Sequence, residues 1–60
     1  MFTPQINQHV VCQVEGRPLY CRVVAVSPIN SRAKVVVTTG PLARLERWVS
    51  VPASKMRKVQ

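Results

Sequence analysis

Apolar residues recur at every second position in short valine-rich bursts along this chain, and clusters of Gly, Pro, Asn and Ser separate the bursts. Period two is the mark of half-buried strands, because successive side chains of a strand point to opposite faces. The first run predicts a strand over about 9–14, with Val10, Cys12 and Val14 on one face. Glu15, Gly16, Arg17 and Pro18 then predict a turn. Pro18 has no N–H with which to close a two-residue Gly16-Arg17 hairpin, so a four-residue loop between Val14 and Leu19 is expected. That register sets Cys12 opposite Cys21, Val10 opposite Val23 and Val14 opposite Leu19, all on the inner face.

A second strand follows over about 19–26, with Tyr20, Arg22 and Val24 on its other face. Ser27 to Arg32 reads as a turn, since Pro28 presets its own φ and Asn30 tolerates the left-handed region. The third strand, about 33–39, carries Val35, Val36 and Val37, which are β-branched and stiff. Gly40-Pro41 ends it. A fourth strand over about 44–51 places Leu45, Val49 and Val51 on one face and Arg44, Glu46, Trp48 and Ser50 on the other. Residues 41–49 also fit a helix, with Pro41 at its first position and Leu42, Leu45 and Val49 at helical spacing. A hairpin with the third strand favours the extended alternative. Pro52 stops the fourth strand, and Pro52 to Lys55 suits a single 3₁₀ turn before a last strand over about 56–59.

Five short strands with a 3₁₀ turn before the last resemble the SH3-like small barrels, a group that includes Src-homology-3, Tudor, KOW and plasmid-type dihydrofolate reductase domains. Val51-Pro52-Ala53-Ser54-Lys55-Met56 is similar to the apolar-Pro-Ser-Asn-Tyr-Val turn that leads into the last Src-homology-3 strand. Val35-Val36-Val37-Thr38-Thr39-Gly40 is similar to the central Tudor strand and its turn. The resemblance implies an all-β fold, a single five-stranded SH3-like barrel over residues 9–59 behind an N-terminal arm, residues 1–8. It does not by itself transfer a function.

Composition narrows the class. A chain of 60 residues removes only about 60% of its unfolded surface from water, which allows one small core and no second domain. Such a core rarely supplies more than about 3–5 kcal/mol. Apolar residues make up 47% of the chain, too many for a disordered basic tail. The formal net charge is +7, and it is unevenly placed: seven of the nine Lys/Arg lie beyond residue 31, against Glu46 alone. A folded domain with a pI near 10.9 has the electrostatic footprint of a protein that meets phosphate, because each neutralised phosphate releases counterions. The N-terminal stretch has no secretory pattern, and no run approaches the roughly 18 apolar residues of a membrane span. A soluble cytoplasmic protein without membrane contact is expected, with Cys12 and Cys21 kept as thiols.

Catalytic groups are few. The chain has no Asp, and Glu15, Glu46 and His9 are its only acid–base candidates near neutral pH. Two inward cysteines lack the electropositive, partly exposed setting that makes a thiolate nucleophile. His9, Cys12 and Cys21 offer three ligands where a closed zinc site wants four, and Gly16 and Gly40 stand alone rather than forming a phosphate cradle. No enzyme activity, metal or cofactor is expected. Within the resembling families, Arg47-Trp48-Val49-Ser50 stands where the plasmid-type reductases carry Val-Gln-Ile-Tyr, which removes the reason to carry that activity over. Thr38 and Pro41 stand where a Tudor cage needs aromatics, and Lys55 where a proline-binding groove needs tyrosine.

What remains is a surface. The outer faces of strands two to four are expected to display Tyr20, Arg22, Val24, Lys34, Val36, Thr38, Arg44 and Trp48 side by side, with Arg47, Lys55, Arg57 and Lys58 extending the charge. Bases that track phosphates, mixed with aromatic platforms for unpaired nucleobases, point to a non-enzymatic module that binds RNA or DNA. Val24 and Val36 beside Tyr20 and Trp48 also fit a protein interface. The alternative is therefore an adaptor or regulatory subunit, acting as a homo-oligomer or docked on a larger assembly.

Overall fold

The computed structural model describes residues 2–59. Among them β1 (His9–Val14), β2 (Arg17–Ser27), β3 (Arg32–Val37), β4 (Glu46–Ser50) and β5 (Arg57–Lys58) form one antiparallel sheet in the order β4-β3-β2-β1-β5. The all-β, five-stranded expectation is met. Closure into a barrel is not, since β4 and β5 stand at the two edges of the sheet and no ladder joins them. Five residues in β4 and two in β5 leave little backbone to pair across that seam.

The β1–β2 hairpin corrects the expected register. Val14 faces Arg17 across a two-residue Glu15-Gly16 turn, so Cys12 pairs with Leu19 and Val10 with Cys21. Both turn residues have positive φ, 52° at Glu15 and 79° at Gly16, as a type I′ turn requires. Pro18 does not obstruct this closure. It pairs with Gln13, one step past the hydrogen-bonded Val14/Arg17 pair, where backbone N–H groups point away from the partner strand. The Gln13 N–H accordingly turns the other way and donates to the Ser54 carbonyl at 2.8 Å. A slip of two residues preserves the side-chain faces. Val10, Cys12, Val14, Cys21 and Val23 are therefore buried as expected, and Leu19 packs half-buried against them.

The core is completed by Ala33, Val35 and Val37 from β3 and by Val51 and Met56 from the last connection. That connection, residues 51–56, opens on a run of hydrogen-bonded turns over 51–55: Lys55 N–H donates to the Pro52 carbonyl at 3.2 Å and Ser54 N–H to the Ser50 carbonyl at 3.0 Å. It starts where Val51 N–H donates to Ser31 and ends where the Ser54 carbonyl meets Gln13. Segment 51–56 thus crosses the open inner face from one end of the sheet to the other. Buried Ser54 is satisfied by a bond from its hydroxyl to the Val51 carbonyl, 3.3 Å. A 3₁₀ helix, Pro28–Asn30, also forms between β2 and β3, with Ser31 left-handed after it.

Two further differences bear on the outer surface. The register of β2 on β3 shifts between Val23, opposite Val35, and Ala25, opposite Lys34, so Val24 is an inserted residue at a β-bulge. Residues 41–44 form turns rather than helix or strand, and β4 begins at Glu46 instead of Arg44. Arg44 has φ 73° and closes the loop by donating its N–H to the Val37 carbonyl at 2.7 Å.

Two substitutions test this architecture. A Cβ at Gly16 meets no atom within 4 Å, so Gly16→Ala carries only the left-handed backbone cost, about 1–2 kcal/mol. Met56→Ala, at the seal of the core, costs about 2–5 kcal/mol, comparable with all that a core of this size supplies. Urea titrations at fixed temperature are expected to show a reduced midpoint for the first and a largely unfolded chain for the second.

Candidate nucleic-acid interface

The pairing of strands sorts the outer face into rows. Arg57, Val11 and Tyr20 stand across from one another on β5, β1 and β2, and Thr38 continues this row by donating its N–H and its hydroxyl to the Tyr20 carbonyl at 3.0 and 3.2 Å. The next row is His9, Arg22, Val36 and Glu46. Beyond it stand Ala25, Lys34 and Trp48, and finally Ser27, Arg32 and Ser50. Tyr20 and Trp48 are both about half exposed. They are not side by side: β3 lies between their strands and four residues along it separate their rows, about 10 Å across the sheet and about 13 Å along it. Arg22, Lys34 and Val36 occupy the space between.

Val24 and Val36 are half-buried rather than fully exposed, which reduces the apolar patch expected at the centre of this face. Arg44, in its loop, is exposed but off the ladder. Arg47 is not on the outer face either, because it pairs with inward Val35. Its guanidinium donates to the Glu15 carboxylate at 2.9 Å. In the sheet β3 and β2 lie between those two residues, so this contact exists only because the sheet curls. Lys58 pairs with buried Val10 at the β5 edge, while Arg57 joins the outer row of Tyr20 and Lys55 sits exposed in the turn ahead of them.

The electrostatics of the surface follow from two ion pairs. Lys34 holds Glu46 at 3.1 Å and Arg47 holds Glu15, so both carboxylates of the sequence are already engaged. Arg22 donates to the Asn7 side-chain oxygen at 3.0 Å, which orients it without neutralising it. Among the described residues, Arg17, Arg22, Arg32, Arg44, Lys55, Arg57 and Lys58 have no acidic partner. All but Arg22 are exposed.

Sequence reasoning passed over Arg32, Asn30 and Ser27. With Trp48 they line a recess of about 220 Å³ at the β2–β3 end of the sheet. The signal available was the Asn and Arg flanking a tight turn one strand away from the single Trp. A larger groove of about 270 Å³ lies nearby, with Phe2, Pro4, Val26, Pro28 and Val51 among its lining.

The thiols lie on the other side of the sheet. Cys12 donates its S–H to Cys21 at 3.8 Å, and Cys21 donates to the Leu19 carbonyl at 3.6 Å. Both are buried and free. When the pair ionises, Cys12 loses its proton first and Cys21 becomes the donor to it, so this bond lowers the Cys12 thiol below its ordinary value of 9.0 and pushes Cys21 far above it, with burial and the charge on Cys12 adding to the rise.

No protein-family model, curated protein or solved structure matches the chain. Among the described residues no helix is long and apolar enough to cross a membrane.

A pH dependence follows from Cys21. Above about pH 9 the unfolded chain gives up a proton that folded Cys21 retains, so stability falls as pH rises beyond that point. Below that pH its contribution is constant. Urea unfolding at about pH 9 and about pH 10, above the range in which Cys12 titrates, is expected to show the loss, and Cys21→Ala to remove it.

Proposed function

We propose that this chain is a small, non-enzymatic module on the SH3-like plan that binds RNA or DNA chiefly through phosphates. The SH3-like reading is supported by the return of the last strand to the side of the first, giving the order β4-β3-β2-β1-β5. The nucleic-acid reading rests on one observation above all: both acids are tied to Lys34 and Arg47, while seven other bases keep their charge. Arg57 and Tyr20 share an outer row, and Lys34 stands opposite Trp48, so charge and aromatic faces alternate over the sheet. Guanidinium and ammonium groups fix a phosphate backbone in place, and aromatic faces add stacking that tolerates any base.

A protein adaptor would need a contiguous apolar patch. Here Arg22 and Lys34 interrupt the Tyr20, Val24, Val36 and Trp48 set, and the two valines are half-buried. This face of the sheet therefore favours a polyanion over an apolar partner.

Binding of the full chain to a labelled single-stranded oligonucleotide of about 12 residues is expected at low salt and to weaken steeply as salt rises. Replacing Lys55, Arg57 and Lys58 together by Gln removes up to three phosphate contacts and lowers the log–log salt slope by about 2. Absence of binding in low-salt buffer overturns the reading, as does an affinity that does not respond to salt.

A further inference from the structure

We infer that the recess lined by Ser27, Asn30, Arg32 and Trp48 is a seat for one unpaired nucleobase and its phosphate. This inference rests on the nucleic-acid reading above and adds to it a place and a preference for single strands.

Four features converge there. Trp48 lies on edge strand β4, opposite Lys34, about half of its surface is exposed, and it lines the recess. Arg32 is its neighbour one step along the same outer face, opposite Ser50 on β4 and Ser27 on β2. It is exposed and has no acidic partner among the described residues. Asn30 ends the 3₁₀ helix, and the Ser27 hydroxyl makes no capping bond to that helix. Asn30 therefore offers a donor and an acceptor in one plane, and Ser27 a rotatable hydroxyl, for the edge of a base. The left-handed Ser31, φ 51°, lets the chain double back so that Asn30 and Arg32 line one recess.

Size and charge select the occupant. The recess is shallow and open, about 220 Å³ with four residues lining it, so it offers a platform for one ring system rather than an enclosed pocket. The bases around it are positive: Arg32 is uncompensated, and Lys34, engaged by Glu46, stands directly across from Trp48. A planar, hydrogen-bonding ring that carries an anion meets all of these conditions, and a base within a nucleic-acid strand is such a group. In a duplex the base is stacked and paired, so the seat selects single strands.

Trp48 is the only tryptophan in the chain, so its emission reports on the recess without a label. The test compares the full chain binding a mixed-sequence single strand of about 12 residues with an abasic strand of the same phosphate count. The base-bearing strand is expected to bind at least about fivefold more tightly, the lower end of one stacking contact, and to quench Trp48, while the abasic strand leaves the emission unchanged. Trp48→Ala is expected to bring both strands to the abasic affinity, and Trp48→Phe to restore part of the preference. Lys58→Gln weakens both strands and keeps their ratio. Equal affinities with unchanged Trp48 emission overturn the base seat while leaving phosphate binding intact. No binding of either strand at low salt overturns both readings. Wild-type quenching does not depend on any variant folding.

Discussion

The fold depends on a thin core. Among the described residues every side chain with almost no surface left is Val, Cys or Ala, and no aromatic ring, Leu or Ile is fully buried. Residues this small let the inner face of a five-stranded sheet bend around itself at short radius, but they leave little apolar area to hold the bend. Segment 51–56 supplies the remainder by laying Val51, Ser54 and Met56 over the opening. The bond between Gln13 N–H and the Ser54 carbonyl anchors that cover to β1. On the open side of the sheet, the Arg47–Glu15 contact ties β4 to the β1–β2 turn. An exposed pair of this kind contributes no more than about 1 kcal/mol, so the seam is held mainly by the covering segment.

This arrangement determines what the outside can present. Because the inner face consumes the alternate positions of β1, β2 and β3, the intervening residues are forced outward in rows whose composition the register fixes. Tyr20 is thereby set with Arg57, Arg22 with Val36, and Lys34 with Trp48. The acids take two of the bases out of the field. The remaining positive charge is spread over both ends of the sheet, so a ligand that follows it must be extended.

Much of this was legible in the chain. Alternation located all five strands and the buried set, because period two survives errors of an even number of residues. The same tolerance hid the hairpin register: the misreading put Pro18 against a hydrogen-bonded position, when the I′ turn at Glu15-Gly16 places its ring where no N–H is needed. Arg44 and Arg47 were harder to place. Their positions depend on a loop closed by a left-handed Arg44 and on the curl that brings Glu15 within reach, and neither is written in local periodicity. The recess at Trp48 depended on the 3₁₀ turn and the left-handed Ser31 acting together. From sequence alone that stretch was only a turn.

The inserted Val24 has a consequence for how such a chain tolerates change in length. Below it Val23 faces Val35, and above it Ala25 faces Lys34, one step later. Deleting Val24 would therefore leave every other β2–β3 partner where it is and remove only the local bend that a bulge introduces. A deletion or insertion elsewhere in the middle of β2 would exchange inside for outside along the rest of the strand. Curvature in this protein is thus written as a residue count at a single position, and a lineage could flatten or tighten the sheet there without redesigning its core.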